Sequence, residues 1–209
     1  VDSDDSIQPG TLRALWEAVE RFDYPDMIVF GLRHIDEAGG HILDALLDLP
    51  EGVPLTASKN RELFFCAVSA CSRMVKRALY LTNQIRFLES VWFEDLGTTP
   101  RLLCQANEVY YVNQPFYNYL IRGNTIMGAA HKNPEKHIND MFTVFDCLLS
   151  YFHENDLFSE YEQELCGLAL WHILYRAGLT VVCSDTKSAF VPDIVRYIED
   201  RFPDYLANA

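Results

Sequence analysis

Three carboxylates stand close together in Val1-Asp2-Ser3-Asp4-Asp5. On an extended segment residues two apart point the same way, so Asp2 and Asp4 can converge on one divalent cation. Hard oxygen ligands suit Mg2+ or Mn2+, and an ion held by few protein carboxylates commonly bridges to substrate phosphates. A plainer role fits the same letters: Asp4, Asp5 and Ser6 can cap the helix that follows and complement its dipole.

Two further segments carry chemistry. Trp92-Phe93-Glu94-Asp95-Leu96 sets adjacent carboxylates behind two aromatic rings, just before a helix-like stretch. A carboxylate at a partly desolvated helix start can be held by the backbone as a general base, or can simply charge-complement the helix. Arg122 closes an aromatic-rich strand and opens Gly123-Asn124-Thr125, a setting suited to a phosphate contact, although an isolated surface arginine is the commoner outcome.

The elements that must position these groups follow from periodicity. Leu12, Leu15, Trp16, Val19 and Phe22 make one apolar helical face after Pro9-Gly10, and Tyr24-Pro25-Asp26 ends that helix. Met27 to Leu32 is a short continuous apolar run, expected as a buried strand, and Asp36 to Gly40 is a turn. Ile42 to Leu49 fits either a strand or an arm. Ser58 is expected to cap a helix carrying Leu63, Phe64, Ala67, Val68, Cys71, Val75 and Leu79 and stopping near Asn83. Glu94 to Ala106 reads as a helix broken or loop-led by Gly97 and Pro100. Val109 to Val112 and Phe116 to Ile121 read as two strands joined at Gln114-Pro115. Beyond Arg122 the pattern turns helical. Asn133 and Pro134 start a helix with Ile138, Met141, Phe142, Phe145, Leu148, Leu149 and Phe152 on one face. Ser159 with Glu162 forms a capping box for a second helix running towards Gly178, and a third covers about 193–202. The fold class is therefore α+β to about residue 130, followed by a helical extension over 131–209.

Composition narrows the function. Seventeen Lys+Arg against thirty Asp+Glu leave 209 residues with a net charge of −13, which argues against nucleic acid or anionic lipid as partner. With 49% apolar and 13% aromatic residues the chain can build a core, so it is no disordered acidic tail. No apolar run approaches the roughly 20 residues of a membrane-spanning helix. Six scattered cysteines without a CxxC pair read as buried thiols of a reducing cytoplasm.

The order of three segments, VDSDDSIQPGTL, DMIVFGLRHIDEAGG and NQIRFLESVWFEDLGTTPRLLCQANEVYYVNQPFYNYLIRGNTIM, resembles the C-terminal part of bacterial family 2 glycosyltransferases of the GT-A-type fold. These enzymes are found in capsule and exopolysaccharide clusters. The resemblance covers most of residues 1–127 and implies a partial GT-A-like mixed sheet with flanking helices. Asp2-Ser3-Asp4 looks like the family's DxD motif, with Asp4 the foremost metal ligand, Asp2 next and Asp5 beside them at the donor. Asp95, supported by Glu94, looks like the base of inverting members, taking the proton of the acceptor hydroxyl. Arg122 matches a motif bordering the donor and would neutralise leaving-group charge. Trp92 and Phe93 could stack on a sugar or pack in the core.

The implied partners are a nucleotide-sugar donor and a glycan or lipid-linked acceptor, with Mg2+ or Mn2+, in the cytoplasm or at the inner face of the membrane. Because the match begins at the DxD motif, the chain is expected to lack the nucleotide-binding half and to bind donor weakly or not at all. It is then expected to show no transferase activity alone and to expose a sheet edge of Met27 to Leu32 through which copies could associate. Two other readings stay open. Asp2-Ser3-Asp4-Asp5-Ser6 partly meets the DxDx[ST] pattern of haloacid-dehalogenase-like phosphohydrolases. Residues 133–209 could form a non-catalytic docking module.

Overall fold

The computed structural model describes residues 1–66, 68–122, 133–182 and 190–208. The chain divides into two compact units, Val1–Arg86 with Thr99–Arg122, and Phe87–Thr98 with Gly123–Ala209.

The first unit is built on a mixed sheet. Strand β1 is Ser6–Ile7, β2 is Met27–Ile35, β3 is His41–Ala45, β4 is Arg73–Val75 and β5 is Val109–Leu120. Their order is β1-β5-β2-β3, with β4 also on β2. β2 and β5 run parallel, from Met27 opposite Val109 to Ile35 opposite Leu120, whereas β1, β3 and β4 pair antiparallel. The continuous apolar run of β2 follows from its central place: Met27 to Phe30 are buried on both faces. Helix α1, Thr11–Arg21, enters from Gly10 at a φ of 85°, a turn that favours glycine. It lays Leu15 and Ala18, with Phe22 just beyond its end, against Ile28, Phe30 and Tyr117, and Phe22 stacks on Tyr110 at 4.2 Å.

Three expectations change here. The helix expected over 58–83 is instead a string of short pieces: α2 Leu63–Cys66, a 3-10 turn Ala70–Ser72, β4, and α3 Arg77–Thr82. The hydroxyl of Ser69 accepts from Cys71 N, stopping helical propagation, and Arg73–Val75 is drawn out to pair with Val29, Ile28 and Met27. That pairing, with β3 further along, covers the edge of β2 opposite β5. Among the described residues, Met27–Val29 and Leu32 are therefore paired on that side, and the open edge expected along Met27 to Leu32 is not found. The two strands expected at 109–112 and 116–121 are one strand, with Pro115 absorbed where the β2–β5 register shifts between Phe30 and Leu32. Gly31 belongs to that shift, since a Cβ there would lie 3.0 Å from Ala45 O.

Helix α4, Glu94–Gln105, is continuous rather than broken, with Pro100 inside it. Gly97 allows close approach, because a Cβ would sit 3.2 Å from Val144 Cγ1.

The second unit is helical. α5, Pro134–Glu154, starts as expected, with Asn133 Oδ1 accepting from Lys136 N, and buries Ile138, Met141, Val144, Phe145, Leu148, Leu149 and Phe152. α6, Phe158–Ala169, begins one residue before Ser159, so the expected capping box does not form. It continues as a π-helical stretch, Leu170–Ala177, and then α7, Gly178–Val182. α8 is Val191–Arg201. Among the described residues no helix is long and apolar enough to cross a membrane.

Candidate functional site

The acidic segment folds as a tight turn, closed by Asp5 N donating to Asp2 O at 3.2 Å. Just after it, β1 zips onto the C-terminal half of β5, Ser6 opposite Asn118 and Ile7 opposite Tyr117. This pairing fixes the turn against the end of the central parallel pair. Asp5 is tied twice: its Oδ1 accepts from Leu120 N at 2.8 Å and its Oδ2 accepts from Tyr117 Oη at 2.9 Å. The same hydroxyl accepts from Asp2 N at 3.0 Å. Tyr117 is only 2% exposed, so the sheet core grips the acidic turn through one phenol, and burial pushes that phenol's pKa up.

The four acidic-site residues separate into two pairs. Asp4 forms an ion pair with Arg122. Asp2 and Asp5 converge with the thiol of Cys71, their ligand atoms all within 4.8 Å of one another. Cys71 Sγ donates to Asp2 Oδ2 at 3.5 Å. Burial, and then the neighbouring Asp2 charge, push the thiol's pKa upward. The donor set of two carboxylates and a thiol, the thiol 66 or more positions from either carboxylate in sequence, suits a divalent cation. Residues 3–4 form a turn rather than an extended strand, so the strand alternation expected to aim Asp2 and Asp4 the same way does not apply here. Gly123 to Ile126, which follow Arg122, lie outside the described residues, as does Cys183.

Asp95 and Glu94 belong to the second unit and open α4. The Asp95 carboxylate accepts from Leu96 N at 2.8 Å, and Leu96 N also donates to Phe93 O. Phe93 adopts a φ of 64°, an uncommon conformation for a bulky residue that sets the direction from which the helix starts. The two aromatic residues pack on α5. The Phe93 ring centroid lies 4.9 Å from that of His137, Lys136 Nζ sits 5.0 Å from the centre of the Trp92 ring, and the Trp92 backbone N–H donates to Asp140 Oδ2. Lys136 in turn pairs with Asp140 at 2.6 Å. Trp92 and Phe93 therefore anchor the segment that carries Glu94 and Asp95.

Sequence reasoning missed Cys71 and Tyr117. Cys71 was hidden inside a segment read as a helix, and Tyr117 inside a strand rich in aromatic residues; neither has a neighbour in sequence that signals a site.

No family model matches the chain, and no curated protein matches it. Solved structures do. The chain is similar to S. aureus TarS 1–349 in complex with UDP-GlcNAc, at 17% identity and a TM-score of 0.56, over 98% of this chain and 64% of that one. It is similar to the same protein in complex with UDP at 16% identity and a TM-score of 0.50, over 98% and 62%. The chain thus spans less than two thirds of the structures it matches. The likeness shows the fold: a mixed sheet flanked by helices, of the glycosyltransferase-like kind.

Proposed function

We propose that this chain forms part of a glycosyltransferase that moves a sugar from a nucleotide-sugar donor to a glycan or lipid-linked acceptor in surface polysaccharide synthesis. The observation that carries the reading is the fold, shared across 98% of the chain with a protein whose structure holds UDP-GlcNAc. The acidic turn locked to the sheet by Tyr117 supports it, since a diphosphate needs positive charge and a cation bound by carboxylates supplies it.

The chain's own residues take these roles. Asp2 and Asp5 hold a Mg2+- or Mn2+-type ion, which when bound neutralises diphosphate charge. Arg122 leaves Asp4 to meet the departing nucleotide phosphate; a guanidinium matches phosphate oxygens in geometry as well as charge. Asp4, once parted from Arg122, would be a further carboxylate available beside the donor. Asp95, with Glu94 beside it, accepts the proton of the acceptor hydroxyl as that oxygen attacks the anomeric carbon opposite the leaving group, which inverts the configuration.

The test is Asp95→Asn in the full-length gene product. Transfer from the donor is expected to fall by roughly 10²–10⁴-fold, the usual worth of a positioned base, with donor affinity unchanged. Unaltered turnover removes Asp95 from the mechanism.

A further inference from the structure

The sequence predicts an all-oxygen site, yet the fold adds a sulfur to it. We propose that Cys71 is the metal-selecting residue of the Asp2–Asp5 turn, its sulfur joining the two carboxylates on the cation and favouring ions such as Co2+ and Zn2+ over Mg2+. This rests on the metal-binding part of the reading above and refines it.

The spacing suits shared coordination. Oxygen and sulfur atoms about 2.1 and 2.3 Å from one ion at a tetrahedral angle lie about 3.6 Å apart. Asp2 Oδ2 and Cys71 Sγ are 3.5 Å apart. The thiol is also delivered by rigid structure. Cys71 sits in the 3-10 turn capped by Ser69, and two residues on, Arg73 pairs with Val29 in the sheet. From the other side Tyr117 holds both Asp2 N and the Asp5 carboxylate, so the three donors are brought within 4.8 Å of one another from two segments distant in sequence.

Selectivity follows from ligand chemistry. Mg2+ keeps to oxygen and gives up water reluctantly, so a sulfur contributes little to it. Ions further along the Mn2+, Co2+, Zn2+ series gain increasingly from a thiolate. On binding, the S–H proton passes to solvent and the sulfur lone pair goes to the ion. An Asp2–Asp5 site without the sulfur would lose this discrimination while retaining its carboxylates.

The experiment titrates Co2+ into the purified chain, following thiolate-to-cobalt charge transfer in the near ultraviolet alongside equilibrium binding, with Zn2+ and Mg2+ as competitors. Wild type and Cys66→Ser are expected to show the band and Cys71→Ser to lack it. Co2+ affinity in Cys71→Ser is expected to fall at least roughly tenfold, as metal sites respond to losing even an outlying partner. Mg2+ affinity is expected to hold within about twofold, since its oxygens remain. X-ray absorption of the Zn2+-loaded wild type decides the matter without a variant: one sulfur bound to the ion supports the proposal, and none overturns it. Cobalt that binds without the band, equally well in Cys71→Ser but not in Asp2→Asn, overturns the role of Cys71 and leaves the carboxylate site standing. Failure of the wild type to bind any of the three ions overturns both.

Discussion

Replacing Tyr117 by Phe removes one oxygen and leaves the ring in place, so it isolates the link between sheet core and acidic turn. That oxygen donates to the Asp5 carboxylate at 2.9 Å and accepts from Asp2 N at 3.0 Å. A hydrogen bond to a charged group contributes about 1.5–3 kcal/mol net. Asp5 is partly exposed and keeps its second bond from Leu120 N, which places the loss near the low end, about 2 kcal/mol. For a chain of this size that lowers Tm by roughly 4–8 °C. The same change loosens the turn that carries two of the three converging donors, so cation affinity should drop about tenfold. Differential scanning calorimetry and calorimetric titration with Mn2+ read the two effects on one sample. A Tm within about 1 °C of wild type, with unchanged cation affinity, would refute the idea that the phenol organises the turn.

Three other outcomes are expected. His172, which burial and then Arg176 hold down to about 4 from an ordinary 6.5, is neutral in the folded helical unit, so its contribution is complete above pH 6.5 and is lost as the pH falls towards 4. The urea midpoint should fall across that window and flatten in His172→Gln; an equal slope in both contradicts it. Asp44, whose bond from Arg33 lowers its pKa, should titrate by NMR below the ordinary 3.8, whereas a midpoint at 3.8 contradicts the pair; because the pair is exposed, Asp44→Asn should cost less than about 1 kcal/mol. Phe145→Ala, at a fully buried position on α5, should destabilise the helical unit by about 3–5 kcal/mol in denaturant titration, and a loss under about 1 kcal/mol would place the core elsewhere.

Where one period dominated, the sequence was legible. Met27 to Leu32 reads as a buried strand because it is central, and α5 reads as a helix from Asn133 because its cap and its apolar stripe agree. Residues 58–83 misled because their apolar spacing also suits a helix. A local hydroxyl cap at Ser69 and the unpaired edge of β2 decided the outcome, and the second is a tertiary demand. Pro100 and Gly97 likewise suggest a break that the continuous α4 does not make, since Gly97 answers a packing contact with Val144. At the candidate site the carboxylates were visible as a motif, and their division was not. Asp4 with Arg122, and Asp2 and Asp5 with Cys71, are pairings across 66–118 positions that only the strand register creates.

The central claim is that the acidic turn serves a nucleotide-sugar through a cation. Equilibrium binding of UDP-GlcNAc to the full-length gene product, with Mn2+ present and then chelated, tests it most directly. The account predicts saturable binding that requires the ion and weakens at least roughly tenfold in Asp2→Asn. Binding that is indifferent to both the ion and Asp2, or no binding in either condition, would contradict it.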